Sequence, residues 1–196
     1  LNGAKLTIYE PLNLDIKKFV KHFQQKQVTI MWLTAALFHI IASRLDSAFL
    51  GVKYLLAGGD VLNPILVNKV IQNNSELTLI NGYGPTENTT FTSCHQMTLS
   101  NQPGMTVPIG QIVKGTVAHV LNRCGERVLP GEEGILHVSG DGVALGYVGE
   151  NISSNAFYHN SVIADGLIYN TGDIVKLNDQ GNFEFIGRSD NQIKIR

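Results

Sequence analysis

Several features that would point directly to a function class are scarce or missing in this chain. Its 196 residues include only two cysteines, Cys94 and Cys124, without the close spacing of a metal site. So low a count is typical of a reducing compartment. The net charge of −1 gives no electrostatic reason to expect nucleic acid or an acidic membrane as a partner. Residues 28–42, the longest strongly apolar stretch, are too few to span a bilayer. We therefore expect a globular cytoplasmic protein.

The chain also lacks the side-chain patterns of common nucleophilic and metal enzymes. It has no Gly-x-Ser-x-Gly elbow and no Cys/His nucleophile arrangement. Charged residues interrupt its first positions, so we expect no signal peptide. The histidines have no metal-ligand spacing, so we interpret all of them as surface or packing residues. They are His22, His39, His95, His119, His137 and His159.

The most informative segment is Asn-Gly-Tyr-Gly-Pro-Thr-Glu at residues 81–87. It follows an apolar run at residues 77–80, so we expect a loop at the C-terminal end of a buried strand, where open α/β sheets bind ligands. Tyr83 offers a ring that can stack on a base, and Thr86 offers a hydroxyl to a phosphate oxygen. Glu87 offers the hard oxygen ligand that Mg²⁺ prefers beside substrate phosphates. Taken alone, such a motif is more often an ordinary turn after a strand.

The first half of the chain alternates between strand and helix periodicity, which predicts an α/β unit with a mostly parallel sheet. Lysines occupy the polar face of the first predicted helix, which indicates a solvated surface. Thr34 is predicted to cap the second helix, and Pro64 to begin the third. The predicted strands cover residues 5–9, 28–32, 52–56 and 77–80, and the predicted helices cover residues 14–23, 35–45 and 64–72.

After about residue 100 the pattern changes to short strands separated by Gly, Pro, Asn and Asp, which is typical of a small barrel or sandwich. The fold class is therefore α/β followed by mostly β, with a boundary near residues 98–106. The predicted strands cover residues 107–112, 116–121, 134–138, 142–147, 162–163, 167–169, 174–177 and 183–186. The sheet of the first half looks incomplete, and the strand-like run at residues 192–196 has no visible partner, so we expect a piece of a longer protein.

Three further groups carry possible chemistry. Gly58 and Gly59 end a predicted strand, where the missing side chains would let a flat ligand approach the backbone. Asp173 follows a predicted tight turn and could accept hydrogen bonds from both hydroxyls of a ribose. Residues 187–196 combine cations and amides around Asp190. Each group alone could be a turn or a polar edge strand.

The order and spacing of these motifs strongly resemble the adenylation domains of nonribosomal peptide synthetases. The resemblance covers essentially the whole chain: Gly-Gly-Asp, Gly-Tyr-Gly-Pro-Thr-Glu, Tyr-x-Thr-Gly-Asp, then Gly-Arg-x-Asp-x-Gln-x-Lys-Ile-Arg. Acyl-CoA ligases of the same superfamily usually carry Met at the position of Pro85 and Lys at that of Asp190. The resemblance implies half of an acyl-activating-enzyme core, which is a parallel sheet with helices, plus a small distorted β-barrel. It divides the chain into an α/β part (1–100), a barrel (101–188) and a hinge (189–196).

The resemblance also implies roles for individual residues. Asn81 would bond the adenine amino group, Tyr83 would stack on the adenine, and Gly58 and Gly59 would form the opposite wall. Catalytic roles would fall to Thr86, on the α-phosphate, and to Glu87, on Mg²⁺. The remaining nucleotide-site residues would be Asp173 on the ribose, Phe185 on the adenine and Arg188 on ribose or phosphate, with Asp190 as the hinge.

The resemblance further implies the substrates and partners. An amino acid and ATP would give aminoacyl-AMP, which would load the phosphopantetheine thiol of a peptidyl carrier protein in the same synthetase. Nucleic acid and membranes are not expected partners. The amino-acid pocket carries no charge and suits a small branched side chain such as that of valine. It comprises Trp32, Leu55, Ala57, Gly82, Thr90 and Phe91.

Three elements of the family are missing from these 196 residues. They are the Gly/Ser-rich phosphate loop, the Phe-Asp motif that pairs with the substrate ammonium, and the C-terminal lysine. We therefore expect this piece alone to be inactive. Two alternatives remain open. One is a non-catalytic remnant or interaction module, and the other is an acyl-CoA or aryl-acid ligase of the same superfamily.

Overall fold

The computed structural model of the protein describes residues 3–10, 14–148 and 156–190. The chain forms two compact units, the first from Leu1–Ile80 with Gln96–Val107 and the second from Asn81–His95 with Pro108–Arg196. The division predicted from the family, at residues 100 and 188, follows chain order instead and stays a prediction. Most of the predicted hinge segment, with the strand-like run at 192–196, lies outside the described residues.

Capping side chains begin the helices of the first unit, and one of them, Thr34, is the cap that the sequence predicts. The Thr34 Oγ1 accepts a hydrogen bond from the Leu37 amide at 3.3 Å, and the Asn63 side chain accepts two amides of the helix that follows it. These bonds satisfy donors that a helix start leaves unpaired. No helix in the described part of the chain has the length and apolar character needed to cross a membrane. The helices are α1 (Ile16–Gln25), α2 (Ala35–Arg44) and α3 (Pro64–Asn73).

A mixed sheet of five strands has the order β1-β2-β3-β4-β5. The first two strands are parallel, with Leu33 beside Ala57, and the last two are antiparallel. The first unit builds its core where Phe38 and Ile41 of α2 and Val67 of α3 pack together with Leu55 and Leu79, all fully buried. The strands are β1 (Ile30–Thr34), β2 (Tyr54–Gly58), β3 (Thr78–Tyr83), β4 (Ser93–Met97) and β5 (Gln111–Ile112).

The second unit contains an antiparallel sheet with the order β10-β9-β7-β6, and β8 pairs with β9. Its buried apolar core includes Leu136, Val138 and Val175. Pairing between β6 and β10, which would close this sheet into the predicted barrel, is absent from the described residues. The fold class, α/β followed by mostly β, is confirmed. The strands are β6 (Thr116–Leu121), β7 (Glu133–Gly140), β8 (Phe157–His159), β9 (Leu167–Leu177) and β10 (Phe183–Arg188).

Three strand predictions and one turn prediction are wrong. Residues 5–9, 142–147 and 162–163 do not form strands, although each run has apolar or β-branched residues. Residues 169–173 are not a tight turn but the middle of β9, an 11-residue strand. The Asn and Gly at positions 170 and 172 suggested a turn, but pairing with β7 and β10 keeps this segment extended. Tertiary pairing thus overrides local propensity here.

Candidate functional site

The segment at residues 81–87 begins in a strand and ends in a short turn of helix. Its first three residues complete β3, which corrects the predicted loop, and Thr86–Asn88 forms a 3₁₀ helix. The buried Asn81 side chain donates through Nδ2 to the Pro108 carbonyl at 2.8 Å. Thr89 and Thr90 then have φ of 41° and 72°. Such left-handed backbone is unusual for β-branched residues, and it clusters at functional sites.

Two glycines of this segment lie where other residues pack closely against the backbone, so neither faces open space. A Cβ at Gly84 would lie 2.6 Å from the Thr90 carbonyl oxygen. A Cβ at Gly82 would lie 2.4 Å from Cε1 of Phe91, so the ring of Phe91 fills the volume beside Gly82. Gly82, one of the predicted pocket residues, therefore leaves room for a substrate only if the Phe91 ring turns away.

Asp173 lies at the centre of a polar cluster in the second unit. Its side chain is 11% exposed. It accepts hydrogen bonds from the Tyr83 hydroxyl and, at 2.8 Å, from Nη1 of Arg188. The Thr171 hydroxyl donates to the Leu136 carbonyl at 2.8 Å and accepts from the Asp173 amide at 3.0 Å. The carboxylate is therefore held by Tyr83 of β3 and Arg188 of β10, while the Thr171 hydroxyl links the Asp173 backbone to β7.

The electrostatic surroundings of the cluster keep the Tyr83 hydroxyl and the Arg188 guanidinium as hydrogen-bond donors. Burial, followed by the charge and hydrogen bond of Asp173, raises the pKa of the Tyr83 hydroxyl, so Tyr83 remains a donor. Arg188 also binds Asp190 with both Nε (3.0 Å) and Nη2 (2.7 Å). The hydrogen bond to Asp190, and then that to Asp173, raises the pKa of Arg188. Arg188 thus joins the predicted ribose-binding acid to the predicted hinge residue.

Glu87 makes a second polar contact, and its partner Tyr147 is a residue that the sequence did not predict for the site. Tyr147 donates its hydroxyl to Oε1 of Glu87 at 2.5 Å, while Thr86 is exposed. The hydrogen bond to Glu87 and, after it, burial raise the pKa of Tyr147. Burial, followed by the hydrogen bond with Tyr147, also raises the pKa of Tyr169. The wrong strand prediction for residues 142–147 concealed this contact.

Five of the predicted site residues belong to the first unit. Gly58 is buried at the end of β2, while Gly59 has φ of +83°, and a Cβ added there would have no heavy atom within 4 Å beyond its chain neighbours. Leu55 and Ala57 are fully buried on one face of β2. Trp32 pairs with Leu56 and is 50% exposed, so it lies on the opposite face of the sheet from Leu55 and Ala57.

The second unit contains all the other predicted site residues. Phe185 pairs with Val175, and both Phe185 and Tyr83 pack against the same apolar cluster. The described residues contain no group of three or more His, Cys, Asp or Glu side chains placed to hold a metal. A single carboxylate such as that of Glu87 still suits Mg²⁺, which takes its other ligands from phosphates and water. The roles of all these residues stay predictions: Asn81, Gly82, Tyr83, Thr86, Glu87, Thr90, Phe91, Asp173, Phe185, Arg188 and Asp190.

Comparisons with known proteins agree with the motifs. A family model described as AMP-binding enzyme matches residues 1–148. Gramicidin S synthase 2 of Brevibacillus brevis is 37% identical, and the match covers 100% of this chain but 4% of that protein. Surfactin synthase subunit 2 of Bacillus subtilis (strain 168) is 38% identical, with 100% and 6% covered. This chain therefore spans a small fraction of the length of those relatives.

Solved structures give the same result for the fold. PA1221, an NRPS protein containing adenylation and PCP domains, superimposes with a TM-score of 0.85 and 33% identity over 93% of this chain and 37% of that chain. The N-terminal subdomain of Klebsiella oxytoca NpsA, in complex with 3-hydroxybenzoyl-AMSN, has a TM-score of 0.83 and 26% identity. That match covers 95% of this chain and 48% of the NpsA chain.

Proposed function

Because the chain belongs to the AMP-binding enzyme family, we propose that it is part of an adenylation domain of a peptide synthetase. In this proposal the carboxylate of an amino acid attacks the α-phosphorus of ATP, and pyrophosphate leaves. The aminoacyl group then passes from AMP to the thiol of a carrier protein. The likeness to PA1221, whose description names adenylation and PCP domains, supports both the reaction and the partner. A cytoplasmic location stays a prediction.

The observation that supports nucleotide binding best is the cluster around Asp173. A carboxylate can accept about four hydrogen bonds, and the known partners of Asp173 use two of its lone pairs, so two ribose hydroxyls can be added. Asn81 already uses its Nδ2 for the Pro108 carbonyl. Its acceptor oxygen is therefore the atom that suits the donor amino group of adenine. The residues present thus fit ATP.

Charge is the main chemical demand of this reaction, because negative charge gathers around the α-phosphate as pyrophosphate leaves. Bound Mg²⁺ would neutralise part of that charge. Glu87 would hold the ion, the exposed Thr86 hydroxyl would donate to a phosphate oxygen, and Arg188 would contact ribose or phosphate. None of these groups forms a covalent bond to the substrate, so the protein contributes position and electrostatics.

Valine is the amino acid that we propose for the complete domain. None of the predicted pocket residues carries a charge, so a charged substrate side chain would lie unpaired there, at a cost of several kcal/mol. Leu55 and Ala57 are buried on the opposite face of the sheet from Trp32, so they would not line the pocket together with Trp32. Discrimination between Val and Ile depends on one methylene, about 1–3 kcal/mol, so some activation of Ile is expected.

Two other functions remain as alternatives. An aryl-acid ligase is supported by the likeness to NpsA, whose solved complex contains 3-hydroxybenzoyl-AMSN. The other alternative is a non-catalytic remnant or interaction module, which exchange activity of the complete protein would exclude. We expect no ATP–pyrophosphate exchange by these 196 residues alone, because they contain no phosphate loop, Phe-Asp motif or C-terminal lysine.

The test is ATP–pyrophosphate exchange by the complete protein that contains this sequence. All twenty amino acids and a set of aryl acids are compared, with valine expected to be preferred. Asp173→Ala should raise the KM for ATP, while Glu87→Gln should lower kcat and change the Mg²⁺ dependence. The exposed residues Asp179 and Glu133 supply matched controls as Asp179→Ala and Glu133→Gln. Wild-type kinetics in both site variants, or a preference for an aryl acid, would contradict the proposal.

A further inference from the structure

The Glu87 carboxylate is held by a neighbouring segment of the chain, residues 142–147. The Tyr147 hydroxyl donates to Oε1 of Glu87 at 2.5 Å, and the Ala144 amide donates to the Glu87 carbonyl at 2.8 Å. A third bond runs from the Thr89 hydroxyl to the Gly142 carbonyl at 2.7 Å. The segment therefore fixes both the backbone and the side chain of Glu87.

The Tyr147 ring is itself fixed by aromatic packing. It meets Phe157 of β8 edge to face, with ring centroids 5.3 Å apart and an interplanar angle of 77°. The Phe157 ring in turn lies 4.9 Å from that of Tyr169, and the two residues are register partners on β8 and β9. Packing on the paired strands β8 and β9 thus fixes the Tyr147 ring, although the segment that contains Tyr147 is irregular.

We propose that Tyr147 is a positioning residue that orients the Glu87 carboxylate for a divalent cation. The proposal rests on the proposed function, in which Glu87 binds the metal that accompanies ATP. A carboxylate that is free to rotate must lose that freedom when it binds a cation, whereas the hydrogen bond from Tyr147 has already stopped the rotation. Hydrogen bonds of this kind to metal ligands commonly change metal affinity by about 10–100-fold.

The test measures metal binding directly in the complete protein. Mn²⁺ replaces Mg²⁺, and the free ion is counted by electron paramagnetic resonance at saturating ATP. Tyr147→Phe keeps the ring and its packing on Phe157 but removes the hydroxyl, and it should weaken Mn²⁺ binding about 10-fold. AMP affinity in EDTA should not change, because the Asp173 cluster is untouched.

Two comparison variants separate positioning from general loosening. Tyr158→Phe also removes a phenol hydroxyl of the same unit, but that hydroxyl bonds Nδ1 of His137 at 2.9 Å, so Mn²⁺ affinity should stay at the wild-type value. In a Glu87→Gln background, Tyr147→Phe should have no further effect, because its action passes through Glu87.

Each remaining outcome overturns a defined statement. If Glu87→Gln weakens Mn²⁺ binding and Tyr147→Phe does not, the positioning role is wrong and the proposed function stands. Equal loss in Tyr158→Phe, or additive loss in the double variant, also removes the positioning role. If Glu87→Gln leaves Mn²⁺ affinity unchanged, the metal assignment fails, and the role of Tyr147 fails with it.

Discussion

Lowering the pH should destabilise the second unit, because His137 is buried there in its neutral form. His137 of β7 is 8% exposed and faces His119 across the pair with β6. The Tyr158 hydroxyl lies 2.9 Å from its Nδ1, an arrangement in which the phenol can donate to an unprotonated nitrogen. Burial, and then the charge of His119, lowers the pKa of His137 from 6.5 to about 4.

The neighbours of His119 add to this effect. Nη2 of Arg127 lies 3.3 Å from Nδ1 of His119, and a guanidinium can only donate, so this nitrogen carries no proton. The other nitrogen, Nε2, then donates to the Ser139 hydroxyl at 3.0 Å. Burial and then the charge of Arg127 lower the pKa of His119. The same geometry means that His119 cannot take a proton from Ser139, so the pair is not a nucleophilic dyad.

The sign and size of the pH effect follow from linkage. Between pH 6.5 and 4 the unfolded chain binds a proton at position 137 and the folded chain does not, so the free energy of unfolding falls as the pH falls. A change from 6.5 to about 4 corresponds to roughly 3 kcal/mol, lost by the time the pH reaches 4. That is a large share of the stability of a typical domain, which is about 5–15 kcal/mol.

The assay is urea unfolding of the protein at several pH values from 7 to 4, together with NMR titration of the histidine rings. In His137→Asn the amide can still accept from Tyr158 but cannot titrate, so the pH slope should decrease by about one proton. Tyr158→Phe is the control that keeps the titrating ring. An NMR pKa for His137 near its usual value, or an unchanged slope in His137→Asn, would refute the reasoning.

Two further predictions concern residues of the second unit. Asp173→Asn should lower the free energy of unfolding by about 1–3 kcal/mol, because Arg188 loses the more buried of its two carboxylate partners; urea unfolding beside Asp179→Asn checks this, and equal stabilities would contradict it. Gly110 has φ of +86°, and a Cβ there would lie 2.1 Å from the Cys94 carbonyl oxygen. Gly110→Ala should therefore lower the free energy of unfolding by at least about 1–3 kcal/mol. Gly82→Ala should lower it less, since the Phe91 ring can turn. A smaller thermal shift for Gly110→Ala than for Gly82→Ala would oppose this.

Local sequence signals predicted the helices of the first unit well. Thr34 caps α2 and Pro64 begins α3, as their positions indicated. The face of α1 was also correct, since Val20 and Phe23 are buried while its lysines are exposed. These features depend on hydrogen bonds and periodicity within about ten residues, so they are visible in the sequence itself.

Strand boundaries in the second half could not be read in the same way. The Asn and Gly at positions 170 and 172 are typical of a turn, yet they lie inside β9, where two neighbouring strands pair with it. Residues 142–147 have the composition of a strand but lie against the 3₁₀ helix at Thr86–Asn88. In both cases the deciding contacts come from residues far along the chain, and no local pattern records them.

The candidate site shows the same difference between residues and contacts. The motifs identified Tyr83, Asp173 and Arg188 as separate groups, but the bonds that join them connect positions 90 and 15 residues apart. The bond from Tyr147 to Glu87 spans 60 residues. A motif selects a residue type for its chemistry, whereas the orientation of that residue depends on which strands pair beside it. For this reason the sequence pointed to the acid proposed to bind the metal, and only the fold pointed to the tyrosine that orients it.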